Sequence, residues 1–105
     1  MPSEIQTHPE ALEEVEEAVA YLDERSLWAG DQLAEAYDGA IESIRAHPER
    51  HHFIHREFRR CHLRRFPYSI IYRQQGTHIF VIALMHDKRH PDYWKHRIPN
   101  TPTLE

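Results

Sequence analysis

Apolar residues recur every three or four positions through the first half of the chain and every second position through much of the rest. Between residues 8 and 25, Leu12, Val15, Val19 and Leu22 are spaced by three and four, with Ala11 and Ala18 beside them. Glu13, Glu14, Glu16, Glu17, Asp23 and Glu24 fill most of the remainder. This spacing predicts an amphipathic helix, and the carboxylate pairs Glu13-Glu14 and Glu16-Glu17 read as its wet side. Thr7 with Glu10 three residues on reads as a capping box, and Pro9 suits the first turn. Ile5 and Gln6 suit a short entering strand.

Leu33, Tyr37, Ile41 and Ile44 repeat the helical spacing, which predicts a second helix after a brief turn. Ser26 is its expected cap. Pro48 ends it, because proline disfavours helical geometry at His47 and has no N–H to donate. Gly30 and Gly39 each weaken this helix by up to about 1 kcal/mol relative to Ala, so packing must hold it. The two helices are expected to form an antiparallel hairpin.

After residue 50 the period shortens to two. Phe58 to Phe66, Tyr68 to Arg73 and Thr77 to Met85 read as three strands. Gln74-Gln75-Gly76 joins the last two as a tight hairpin in which Gly76 is free to take positive φ. Pro67 marks a strand boundary or a bulge rather than a ladder position. A helical turn is expected around Tyr93 to Arg97. The fold class is therefore α+β, an N-terminal antiparallel helix hairpin packed on a three- to four-stranded antiparallel sheet. One sheet face meets the helices, and the other is expected to lie open, where arginines can gather.

A length of 105 residues bounds this to one domain, assigned to residues 1–97, with 98–105 as a flexible C-terminal tail. The single Cys61 excludes an internal disulfide and fits a reducing, cytoplasmic setting. Residues 1–12 lack the basic flank and apolar stretch of a signal peptide. The longest apolar run, Ile79 to Met85, falls far short of the roughly 20 residues a helix needs to cross a bilayer, so no membrane association is expected.

Charge is distributed unevenly. Residues 1–44 carry twelve acidic side chains and one basic, a balance of −11, whereas residues 45–97 carry twelve basic and four acidic, a balance of +8. The net of −4 hides this division. A basic face that meets an anion and an acidic face that does not are the expected outcome.

Two segments carry candidate chemistry. In Arg59-Arg60-Cys61-His62-Leu63-Arg64-Arg65-Phe66-Pro67-Tyr68, a period of two puts Arg60, His62 and Arg64 on one face, about 7 Å apart. Guanidiniums grip phosphate oxygens with two donors at once, and aromatic rings stack on bases. Arg60, Arg64, Tyr68, Trp94 and Arg97 are the candidates for binding a nucleic acid or an acidic protein groove. The second segment, His86 to Arg97, begins where the last strand ends. There histidine can move a proton, arginine can stabilise phosphoryl charge, and tyrosine can donate or accept. RNA cleavage through its own 2′-hydroxyl needs those roles and neither metal nor cofactor. The same composition also fits a C-terminal clasp anchored by Trp94. His51, His52 and His55, and His86 with His90, show no ligand register with carboxylates, so no metal is expected.

The run from Arg64 through Phe66-Pro67-Tyr68 to Tyr72, followed by an apolar strand into His86, Arg89, Pro91, Tyr93, Trp94 and Arg97, resembles the RelE/ParE superfamily of type II toxin–antitoxin toxins. That family also includes the plasmid stabilisation proteins. The likeness covers roughly residues 8–97 and implies a helical hairpin on an antiparallel sheet. RelE-like members cut mRNA in the ribosomal decoding site, ParE-like members inhibit DNA gyrase without catalysis, and both kinds are neutralised by an antitoxin. The resemblance implies catalytic roles for Arg65, Arg89 and Tyr93, with His86 as an alternative acid or base. It leaves three readings: a ribosome-dependent mRNA endonuclease, a non-enzymatic gyrase inhibitor, and a silenced member acting only in its antitoxin complex and operon control. The joint presence of His86, Arg89 and Tyr93 favours the nuclease. The cognate antitoxin is expected to cover the basic groove with acidic side chains.

Overall fold

The computed structural model describes residues 4–100. Strand β1 (Glu4–Thr7) leads into α1 (Pro9–Arg25) and α2 (Ala29–Ala46), then a single 3-10 turn (Pro48–Arg50). Strands β2 (Phe53–His55), β3 (Phe58–His62), β4 (Tyr68–Gln75) and β5 (His78–His86) follow, and a second 3-10 segment (Lys95–Asn100) closes the described chain. The fold is α+β, as expected, but the sheet has five strands rather than three or four, in the order β1-β5-β4-β3-β2. It is also mixed, because β1 runs parallel to β5 with Ile5 opposite Ile79. A three-residue strand such as β2 carries too little alternation to register in the sequence.

Strand pairing also relocates the caps. Thr7 is held in β1 opposite Val81, so His8 caps α1 instead, its Nδ1 accepting from Glu10 N at 3.1 Å. Pro9 opens the helix as expected. Ser26 does not cap α2. Trp28 stands at its N-cap with φ 71° and offers no side-chain cap. Asp23 on α1 reaches across the turn and accepts from Gly30 N at 3.1 Å. A Cβ on Gly30 would lie 2.1 Å from Asp23 Oδ1, so any larger residue there must push the Asp23 carboxylate aside.

Both faces of the sheet are covered. Ala11, Ala18, Leu33, Ile44, Ile70 and Tyr72 belong to the cluster between sheet and helices. Leu12, assigned to the apolar stripe, is half exposed at 51%. On the opposite face, expected to lie open, Phe58, Ile71, Phe80, Ile82 and Met85 pack beneath Trp94, which is fully buried. Strand β5 is apolar from Ile79 to Met85, and β4 is buried from Ser69 to Arg73, because each has two faces to bury. Of the expected tail, Ile98 packs on this second cluster, and residues 101–105 lie outside the described residues.

Gly76 takes φ 59° at the first of two residues joining β4 to β5, where a tight hairpin calls for glycine. No helix among the described residues is long and apolar enough to cross a membrane.

Candidate functional site

One irregularity in β5 decides where its last residues point. Ile71 faces Ala83 and Tyr72 faces Val81, so Ile82 has no opposite number in β4. Such a bulge re-aims the side chains that follow it. Val81 and Leu84 lie in the helix-side cluster, while Ile82 and Ala83 both lie in the cluster under Trp94. The alternation is therefore reversed beyond the bulge, and Leu84 and His86 are turned toward α1.

His86 there lines a groove of about 220 Å³ with Glu14, Glu17, Ala18, Tyr21, Tyr68, Leu84 and Arg89. Tyr68 is the cross-strand partner of His86, and their rings meet edge to face at 5.0 Å. His86 Nδ1 accepts from Lys88 N at 3.0 Å, which leaves Nε2 as the nitrogen free to act outward. Arg89 stands on the turn after β5, its guanidinium 3.8 Å above the Tyr93 ring.

Behind this groove lies a group that sequence reasoning missed. Glu14 was assigned to the solvated face of α1, yet it falls on the same stripe as Ala11, Val15 and Ala18 and is only 16% exposed. Its Oε1 accepts from Arg97 Nη1 at 2.8 Å and from Leu84 N at 3.1 Å, just past the bulge. Its Oε2 accepts from Arg97 Nη2 at 3.0 Å and from the Tyr93 hydroxyl at 2.7 Å. Arg97 Nη1 also donates to the Ile82 carbonyl at 3.0 Å. Burial, together with the bond to Glu14, holds the Tyr93 phenol well above its ordinary range. Burial works to lower the Arg97 pKa, but the Glu14 carboxylate outweighs it and raises the guanidinium further. The signal available in sequence was the spacing 11, 14/15, 18, 22, which places Glu14 on the buried side.

The sequence-derived candidates are thus separated. His86, Arg89 and Tyr68 share the groove, and Tyr93 lies behind it with its hydroxyl engaged. Arg65 lies elsewhere, exposed at φ 70° in the loop 63–67, where Arg64, Arg65 and Phe66 line a shallow groove with Gln32, Glu35 and Ala36 of α2. Trp94 and Arg97, expected on the target-binding face, are interior at 0% and 5% exposure and cannot reach a partner. Arg60 donates to Ser69 Oγ at 2.9 Å and lies 3.7 Å from Asp87, which also meets His62 at 3.3 Å. The expected row Arg60-His62-Arg64 is broken, because β3 ends at His62 and the chain turns before Arg64.

Among the described residues no three His, Cys, Asp or Glu side chains converge in a way that could hold a metal ion. Cys61 is buried, which pushes its thiol pKa up, away from a reactive thiolate.

The family model for the ParE toxin of type II toxin-antitoxin system, parDE, matches residues 5–91. The fold is similar to that of a chain from the chromosomal ParDE TA system from P. aeruginosa. The TM-score is 0.59 at 13% identity, and the match covers 80% of this chain and 95% of that one. No curated protein matches the chain.

Proposed function

The chain belongs to the family of ParE toxins of type II toxin–antitoxin systems, and from that premise we propose that it arrests DNA gyrase by binding it, without cutting RNA. Membership in a type II system also implies a cognate antitoxin protein as partner.

One observation carries the choice between the two activities known in this superfamily. The Tyr93 hydroxyl donates to Glu14 at 2.7 Å, its pKa is raised by burial, and Arg89 covers its ring. A general acid or base must reach the reacting atoms with its own proton and work near the operating pH. Tyr93 does neither here. It acts as a strut that supports Arg89 and ties the C-terminal segment to α1. With the Tyr93 hydroxyl engaged internally, the set that favoured a nuclease, His86, Arg89 and Tyr93, reduces to His86 and Arg89. Arg65 lies outside their groove on the neighbouring turn. An inhibitor that works by binding needs only a presented surface, and His86, Arg89, Tyr68 and Tyr21 provide one.

A second reading retains a specific observation in its favour. His86, with Nε2 free, and Arg89 share an open groove with Tyr68, a pairing able to move a proton beside a stabilised phosphate.

Supercoiling of relaxed plasmid by purified gyrase, followed with increasing amounts of the toxin, tests the first reading. Loss of supercoiling or accumulation of cleaved DNA supports it. Full supercoiling in the presence of toxin that is folded and arrests growth overturns it. Primer extension on translated mRNA then tests the second reading by looking for new ends in the ribosomal A site.

A further inference from the structure

Half of the cations that made the second half of the chain look like a binding face are engaged within the fold. Arg59 donates to the Glu49 and His51 carbonyls, at 3.1 and 2.8 Å. Arg60 is taken by Ser69 and Asp87, Arg97 by Glu14, and Arg73 is buried against Phe58. Lys95 pairs with Asp92 at 2.6 Å. Of the six exposed cations left without a side-chain ion pair or hydrogen bond among the described residues, Arg50 and Arg56 stand apart and the other four lie on two turns. Arg64, Arg65 and Lys88 are exposed and make no side-chain ion pair or hydrogen bond among the described residues. Arg89 is exposed beside them, held on one side only by the Tyr93 ring.

These four sit on two adjoining turns. Leu63 N donates to the Tyr68 carbonyl and closes the loop 63–67, and Arg89 N donates to the His86 carbonyl and closes the turn after β5. Tyr68 pairs with His86, and Asp87 N donates to the Pro67 carbonyl at 2.8 Å. The two turns are thereby joined through the backbone at one end of the sheet. Arg65 keeps a left-handed φ of 70° there, a conformation that disfavours a side chain and persists where surrounding structure fixes it.

We propose that Arg64, Arg65, Lys88 and Arg89 form a cationic edge that grips the phosphate backbone of duplex DNA. This deepens the gyrase reading, on which its choice of DNA rests, since duplex DNA is what gyrase acts on. The covered rings select the duplex over a single strand. Proteins that hold single strands stack bases on open aromatic faces. Here Tyr68 packs edge to face against His86, Arg89 lies over Tyr93, Arg25 lies over the half-exposed Tyr21, and Tyr72 and Trp94 are fully buried. The acidic α1 repels the polyanion, so contact is confined to this one edge.

Fluorescence anisotropy with a labelled duplex of about 20 base pairs reads the edge directly, because four phosphate contacts give a slope of about −3.6 in log K against log salt. That slope corresponds to a loss of roughly 100-fold between 50 and 200 mM salt. Replacing two contacts in the double variant Arg64→Gln, Lys88→Gln is expected to halve the slope to about −1.8. Arg56→Gln, in the β2–β3 turn, is expected to leave it unchanged. The proposal is overturned by absence of binding at the lower salt, by a slope that the double variant does not change, or by equal weakening in Arg56→Gln. Tighter binding of a single strand, or of a glutamate peptide of equal charge, overturns it as well. Gyrase inhibition is measured separately on the same proteins. Inhibition without DNA binding sinks the edge and leaves the gyrase reading standing, and DNA binding without inhibition does the reverse.

Discussion

Glu14 and Arg97, separated by 83 residues, meet as a two-pronged ion pair with N···O distances of 2.8 and 3.0 Å. The pair fastens the last described segment to the first helix and passes between them the backbone that carries the β5 bulge. A carboxylate that accepts from a guanidinium, a phenol and a backbone amide at once has every lone-pair direction used, which is the condition under which a buried charge is tolerated.

Removing Glu14 leaves the buried Arg97 guanidinium with only the more distant Glu10 carboxylate, at 3.8 Å, as counter-charge. Glu14→Ala is therefore expected to lower unfolding free energy by about 3–5 kcal/mol, whereas Glu17→Ala, on the exposed side of the same helix, stays within about 0.5 kcal/mol. Urea denaturation of the two variants beside the parent checks this. Equal midpoints for the two would mean that the pair contributes no more than a surface contact.

The Asp23–Gly30 contact predicts a coupled pair of substitutions. Gly30→Ala forces the Asp23 carboxylate aside and loses the cap it gives α2, at a cost of about 1 kcal/mol. Once Asp23→Ala has removed that cap, the obstruction is gone and Gly30→Ala should stabilise by up to about 1 kcal/mol, because alanine is the better helix former. A double-mutant cycle by denaturant unfolding reads the change of sign, and simple additivity would show that the two residues do not touch in solution.

How much of this was legible in the sequence depends on how far apart the cooperating residues lie. The helices, a glycine turn at Gly76 and the start of β4 after Pro67 follow from neighbours within a few positions. Strand β4 nonetheless runs on through Gln74 and Gln75, so the turn is Gly76-Thr77 rather than 74–76, and β3 ends at His62 rather than Phe66. The parallel pairing of β1 with β5 joins residues such as Ile5 and Ile79, and no local pattern announces it. The bulge at Ile82 is hidden because β5 is apolar on both faces, so a reversal of alternation leaves no trace in composition. That one residue decides whether His86 faces α1. Trp94 and Arg97 read as target-binding because aromatic and basic residues suit a nucleic acid and an internal clasp equally well. Burial separates the two, and burial is a property of the whole sheet.

Acid is expected to weaken the fold through His51. Its pKa is lowered by burial first and then by the nearby cations Arg50 and Arg59 and by His52, and its Nε2 is buried without a partner. The unfolded chain therefore takes up a proton near the ordinary value of 6.5 that the folded chain resists. Since the unfolded state binds more protons in that window, stability rises with pH through it and falls as pH drops below 6.5. His51→Gln should flatten the dependence of the urea midpoint on pH between about 5 and 7.5 relative to the parent. An unchanged pH profile would assign the acid sensitivity to other histidines.

The sharpest separation of binding from catalysis comes from Tyr93. Tyr93→Phe keeps the ring on which Arg89 rests and removes only the hydroxyl that Glu14 accepts from. For a toxin that works by presenting a surface, growth arrest on induced expression should survive, and stability should fall by about 1 kcal/mol for the lost hydrogen bond. A nuclease that used this hydroxyl as its acid or base would lose roughly 10²- to 10⁴-fold in cleavage rate and would no longer arrest growth. Tyr93→Leu removes the ring as well, so Arg89 loses its support and activity should fall in either case. Measuring growth arrest alongside the urea midpoint keeps a folding defect from being mistaken for a functional one. Loss of toxicity in Tyr93→Phe with the midpoint nearly unchanged would return the protein to the nuclease reading, and retained toxicity would leave Tyr93 as the strut beneath Arg89.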